Sequence, residues 1–173
     1  MTAVERARQI RLMLFDVDGV LTDGTLYIGE GGEVMKSFNA LDGHGMKLLA
    51  ESGVEVGLLS SRRSAIVAMR AAELGITLVC QGAADKASEF TSMLSQRRIG
   101  AGQAGYMGDD VIDLPVLIRC GFSASVPGAP ETVRSRVHYL AASQGGHGAV
   151  REVCEFILKA QGSFDAAMAR YLA

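Results

Sequence analysis

The sequence predicts an α/β fold: a Rossmann-like open parallel sheet with helices on both faces, an inserted β-hairpin and no cap domain. Two patterns carry that expectation. Apolar runs of about four to seven residues alternate with amphipathic stretches of about ten or more, the rhythm of βαβ units. The runs are almost continuously apolar, as strands buried on both sheet faces must be.

Taken in order, strands are expected at residues 10–15, 54–59, 76–79, 104–107 and 122–126. Helical periodicity falls between and after them, at 45–52, 64–74, 85–97, 112–120 and 149–160. One segment breaks the rhythm. Residues 25–28 and 33–38 are short strand-like runs around Gly29-Glu30-Gly31-Gly32, a strong turn signal, so a hairpin is inserted at about 22–38. It leaves little room for a lid, and a pocket would be closed by the hairpin, the chain's end or another subunit. The whole of 1–173 reads as one domain, with a C-terminal helix and tail from about 145 to 173.

Composition narrows the partners. With 49% hydrophobic and 21% charged residues the chain is globular rather than disordered. A net charge of −2 supplies no long-range field for nucleic acid or an acidic membrane, so an anionic ligand must be held by a local cluster. No apolar run approaches the ~20 residues needed to span a bilayer, and Glu5, Arg6 and Arg8 interrupt any signal-peptide centre, so the chain is expected in the cytoplasm. Cys80, Cys120 and Cys154 show neither CxxC pairing nor a nearby His and read as reduced core residues.

Ligands of open parallel sheets bind outside the carboxyl ends of the strands. At those ends stand Asp16-Val17-Asp18-Gly19-Val20, then Ser60-Ser61-Arg62, then Lys86 before a helix, then Gly108-Asp109-Asp110 with Asp113 beyond. Clustered carboxylates raise one another's pKa unless a cation sits among them. Oxygen donors without His or Cys favour magnesium, whose remaining ligands include a substrate phosphate oxygen. With that charge and Lys86 present, Asp16 can attack phosphorus and form an aspartyl-phosphate. Asp18 can protonate the leaving oxygen and later take a proton from water. Ser60 can donate to the phosphoryl oxygens, while Asp110 and Asp113 support the ligands from behind, Asp113 orienting Lys86 or a metal-bound water.

DVDGV at 16–20, the Ser60 hydroxyl, Lys86 and GDDVID at 108–113 resemble the four motifs of the haloacid dehalogenase-like phosphatases, and the missing cap resembles their capless subgroup. KSFNALDGHG at 36–45, Arg62, Arg70, QGAADK at 81–86 and GGHGAVREVC at 145–154 resemble the 3-deoxy-D-manno-octulosonate 8-phosphate phosphatase family, over nearly the whole chain. The resemblance implies a cytoplasmic, magnesium-dependent homotetramer that frees a sugar acid for lipopolysaccharide. It implies metal contacts from Asp16, the Asp18 carbonyl and Asp109. It implies substrate contacts from Asp18, Asn39, Ala40, Leu41, Asp42, Gly43, Lys47, Arg62, Arg70 and Lys86. An arginine fork suits the substrate's carboxylate. Arg62 and Arg70 stand roughly 12 Å of helical rise apart, so Arg70 would reach a substrate bound against a neighbouring subunit.

The sequence departs from that family in Ser60-Ser61, where Thr-Gly is common, and in Leu41 and His147, where Arg is frequent. Ser60 keeps the hydroxyl; the other two each remove an anion contact. His44 and His147 read as solvated loop histidines. Two rivals stand beside this reading: a phosphatase of a nine-carbon sugar acid 9-phosphate, against which Arg62 argues, and a binding protein that kept the fold without the chemistry. GEGGE at 29–33 is not followed by a P-loop lysine, so it reads as the hairpin turn.

Overall fold

The computed structural model describes residues 1–172. In chain order the elements are α1 (Ala3–Ala7), β1 (Leu12–Phe15), β2 (Tyr27–Gly29), β3 (Gly32–Met35), α2 (Ala40–Glu51), β4 (Glu55–Ser60), α3 (Ala65–Leu74) and β5 (Leu78–Gln81). They continue with α4 (Lys86–Arg97), β6 (Ala104–Met107), α5 (Leu114–Leu117), β7 (Phe122–Ser125), α6 (Glu131–Arg134), β8 (Tyr139–Leu140), α7 (Ala149–Ala160) and α8 (Phe164–Leu172).

Six strands form one sheet in the order β5-β4-β1-β6-β7-β8, and every pairing within it is parallel. The five expected strands are all in this sheet; β8 is an addition. Right-handed crossovers place α2 and α3 on one face and α4 and α5 on the other. The chain leaves β1 toward β4 and later returns to its other side as β6, so the connections diverge at β1. That divergence opens a crevice at the strand ends. Leu12, Met13, Leu14 and Phe15 are fully buried, as a central strand covered on both faces requires.

Two expected helices differ in extent. The helix expected at 45–52 begins at Ala40, because the Asn39 side chain accepts from the amides of Leu41 (2.8 Å) and Asp42 (3.3 Å). Gly43 and Gly45 weaken the helical signal there, yet α2 is held by packing on α7. The helix expected at 112–120 is a 3₁₀ turn, Val111–Asp113, followed by the four-residue α5, because Asp110 and Asp113 cap the turn reciprocally.

Helix α7 is tied down at both faces. Asp42, buried on α2, accepts from the amides of Gly148 (3.2 Å) and Arg151 (2.8 Å) and so caps its N-terminus. Phe156 packs on Phe122 and Tyr139, with ring centroids 5.8 and 4.2 Å apart, which joins α7 to the sheet edge. His44 is not in a loop: the earlier start of α2 puts it on that helix, with Nε2 2.8 Å from the Tyr171 hydroxyl and Nδ1 3.2 Å from Arg151. His147 is an exposed loop residue. Cys120 and Cys154 are buried and Cys80 half-buried, all as free thiols.

The hairpin β2–β3 is a separate two-stranded sheet. Leu26, Ile28, Val34 and Met35 on it are 44%, 60%, 61% and 49% exposed, while Phe38 turns inward against the core. Among the described residues no helix is long and apolar enough to cross a membrane.

Candidate active site

The site grows from the carboxyl ends of β1, β4 and β6. Asp16 follows β1 directly, and its amide donates to the Met107 carbonyl (2.9 Å), which locks the end of β1 to the end of β6. The chain then turns sharply: the amides of Leu21 (2.9 Å) and Thr22 (3.0 Å) donate to the Val17 carbonyl, and the Thr22 hydroxyl accepts from Gly19 (3.3 Å) and Gly24 (3.1 Å). The turn needs glycine at position 19, where φ is +93°.

Lys86 is the first residue of α4, set by the Asp85 side chain, which accepts from the amides of Ala87 and Ser88. Its buried ammonium contacts Asp16 Oδ2 (2.9 Å), Asp113 Oδ1 (2.6 Å) and the Tyr106 hydroxyl (3.1 Å), which occupies all its donors. Asp113 accepts on Oδ1 from Lys86 and from Tyr106 (2.6 Å), and on Oδ2 from the amides of Asp109 (3.0 Å) and Asp110 (3.1 Å). One buried carboxylate thus fixes both the lysine and the turn that carries Asp109.

Carboxylate oxygens of Asp16, Asp109 and Asp113 lie within 4.8 Å of one another. Asp113 has its lone pairs committed to protein donors, whereas Asp109 Oδ1 is buried without a partner. Burial, then the charge of Asp113, pushes Asp16 up to about 7 against the pull of Lys86. Burial, then Asp16, Asp113 and Asp110, pushes Asp109 up to about 7. Burial alone would lower Lys86, but the charges of Asp16 and Asp113 hold it above its ordinary value. Two carboxyls raised by burial and by the charge of neighbouring carboxylates, one with an orphaned oxygen, and an all-oxygen donor set fit a hard divalent cation.

A pocket of about 150 Å³ brings together Asp16, Asp18, Ser60, Arg62, Lys86, Asp109 and Asp110. Ser60 is buried at the end of β4, and its hydroxyl oxygen accepts from the Arg62 amide (3.3 Å). The Asp18 carboxylate does not join the other acids; it pairs with Lys36 through Oδ1 and faces Arg62 Nε at 3.8 Å through Oδ2.

The remaining expected substrate residues lie elsewhere in this chain. Asn39, Asp42, Gly43 and Arg70 line a narrow apolar crevice between α2 and α3. Arg70 pairs with Glu73 (2.8 Å) and lies 5.8 Å from the Phe38 ring. Ala40, Leu41 and Lys47 are exposed on α2. Sequence reasoning passed over Lys36, Glu33 and Tyr106. Tyr106 has the pattern of an ordinary strand aromatic, and Lys36 and Glu33 look like ordinary charges of a hairpin that also carries Asp23 and Glu30.

This order of parts, a DxDG turn after the first strand, a hydroxyl, a lysine and an acidic turn after successive strands, defines the haloacid dehalogenase-like class. No family model matches the chain. The 3-deoxy-D-manno-octulosonate 8-phosphate phosphatase of Escherichia coli K12 is 42% identical over 164 residues, which cover 95% of this chain and 87% of that protein. Its Yersinia pestis counterpart is 41% identical over 164 residues, 95% and 88% of the two chains. Among solved structures, the Moraxella catarrhalis phosphatase in complex with magnesium, phosphate and 3-deoxy-D-manno-octulosonate superposes with a TM-score of 0.95 at 40% identity, covering 98% of this chain and 97% of that one. The cobalt-bound Haemophilus influenzae phosphatase gives 0.92 at 39% identity, with 97% and 99% covered. The chain belongs to the 3-deoxy-D-manno-octulosonate 8-phosphate phosphatase family.

Proposed function

We propose that this chain is a magnesium-dependent phosphatase that hydrolyses 3-deoxy-D-manno-octulosonate 8-phosphate to the free sugar acid and phosphate, a step of lipopolysaccharide biosynthesis. The observation that carries the chemistry is the Asp16–Lys86–Asp113 contact, which holds a carboxylate nucleophile against a fixed cation at the pocket of about 150 Å³. Asp16, Asp109 and the Asp18 carbonyl would hold magnesium, whose positive charge would neutralise the phosphoryl oxygens. Asp16 attacks phosphorus as the bond to the sugar oxygen breaks, and Asp18 gives that oxygen its proton. Water then attacks the aspartyl-phosphate, Asp18 takes the proton, and Asp16 is regenerated with release of phosphate. Ser60 donates to an equatorial oxygen, and Lys86, held by Asp16, Asp113 and Tyr106, lends its positive charge as negative charge spreads over those oxygens.

Arg62 stands on the pocket rim beyond the reacting centre and is suited to the sugar-acid end of the substrate. Ala40, Leu41 and Lys47, exposed on α2, and Arg70 lie outside that pocket, which fits their acting on a substrate held between subunits. The exposed apolar hairpin supports a homotetramer. We read 1–173 as one domain and its compartment as the cytoplasm.

A panel of sugar-acid and sugar phosphates, assayed for released phosphate with and without magnesium, tests this function. The eight-carbon sugar acid is expected to be the best substrate, metal-dependently, and Asp16→Asn to be inactive. Equal use of a nine-carbon sugar acid 9-phosphate would move the substrate assignment. Turnover by Asp16→Asn would overturn the mechanism.

A further inference from the structure

Lys36 and Lys86 are the two buried lysines among the described residues. Lys86 has a place in the reaction above; Lys36 has none. It follows the last residue of β3 on a hairpin whose neighbouring residues Met35 and Ser37 are exposed, yet its side chain is only 1% exposed. Its ammonium pairs with Asp18 Oδ1 and lies 3.0 Å from Glu33 Oε1. The other oxygen of Glu33 accepts from the Ser64 hydroxyl. Ser64 caps α3 by accepting from the Val67 amide (3.3 Å), and its own amide donates to the Gln81 side chain (2.8 Å).

We propose that Lys36 is a positioning residue for Asp18: the hairpin holds the acid–base carboxylate in one orientation through the chain Ser64–Glu33–Lys36–Asp18. The proposal rests on the phosphatase reading and extends it. A general acid works only when its oxygen is within hydrogen-bond distance of the leaving atom. Asp18 sits on a turn, 19% exposed, and its other cationic neighbour is Arg62, 46% exposed and 3.8 Å away. Lys36 pins Oδ1 on the hairpin side and leaves Oδ2 on the Arg62 side, where the pocket opens. Burying an ammonium between two carboxylates is costly unless geometry satisfies it, and here the anchor reaches back to the helix after β4.

Leaving-group chemistry separates positioning from mere folding. An alkyl phosphate ester needs its leaving oxygen protonated, whereas p-nitrophenolate departs without help. For Lys36→Met, kcat/KM on 3-deoxy-D-manno-octulosonate 8-phosphate is expected to fall about a hundredfold and on p-nitrophenyl phosphate only about threefold. Lys36→Arg is expected to recover most of the alkyl activity. Equal losses on both esters, or no loss, would overturn the proposal; Lys36→Gln carries the same comparison if the methionine variant does not fold. A wild type that cleaves neither ester would instead sink the phosphatase reading itself.

Discussion

Gly19 lies so close to Asp109 that a Cβ at position 19 would come within 2.0 Å of Asp109 Oδ2. The contact brings the turn after β1 against the acid after β6, and the φ of +93° at Gly19 adds a backbone demand of its own. Gly19→Ala must therefore move either the turn or the carboxylate. Magnesium affinity measured by titration calorimetry is expected to fall at least about tenfold, a loss of about 1.4 kcal/mol, with phosphate release falling in step.

Asp113→Asn tests the buried hub. The amide oxygen can accept from one side only, so its NH₂ must face either Lys86 and Tyr106 or the two turn amides, all of them donors. A destabilisation of about 3 kcal/mol is expected from urea unfolding. An unchanged midpoint would mean that the hub is not what fixes Lys86.

The raised carboxyls give a signed pH dependence. In the metal-free protein, Asp16 and Asp109, each raised to about 7, favour the folded state while protonated. That contribution is complete below about pH 4 and is lost as pH rises through about 7. Metal binding requires the ionised forms, so stabilisation by magnesium grows over the same window. The rise in Tm on adding magnesium should be small near pH 5.5 and several-fold larger near pH 8, as followed by thermal melts. An equal rise at both values would contradict the site.

For Arg62→Ala, the sugar-acid phosphate is expected to lose roughly ten- to a hundredfold in kcat/KM while p-nitrophenyl phosphate, lacking the second anchor, loses little. Equal losses would reassign Arg62 to phosphorus chemistry or to folding.

Ile28 and Val34 are the most exposed apolar residues of the hairpin. Placing lysine at both is expected to dissociate the proposed tetramer, seen as a fall in mass by light scattering, without lowering monomer stability by more than about 0.5 kcal/mol. A wild type that is monomeric at micromolar concentration would remove the argument.

The sheet was legible because its strands are short apolar runs between amphipathic stretches; residues 104–107 and 149–160 carry their elements with the expected bounds. Helix α2 was legible only in part, since Gly43 and Gly45 suppress a signal that packing on α7 restores. Helix α6 and strand β8 are too short for any period to register. Asp16, Ser60, Lys86 and Asp109 stood out because polar groups at successive strand ends share one rim. Lys36 did not, since its burial depends on how the hairpin folds back, which no local pattern encodes. Asp42 read as a ligand-facing acid; it accepts from the backbone at residues 148 and 151, a contact across more than a hundred positions.

The turn after β1 also has a late-arriving wall. Gly145 and Gly146 press against its backbone: a Cβ on Gly145 would come within 1.9 Å of the Gly19 carbonyl oxygen, and the Gly146 amide donates to the Val20 carbonyl (3.0 Å). On the ribosome, the nucleophile-bearing loop is made early, yet it lacks this support until nearly the entire polypeptide has been synthesised. A nascent chain shorter than about residue 146 would thus carry every chemical group of the reaction while the turn that bears the nucleophile still lacked this wall.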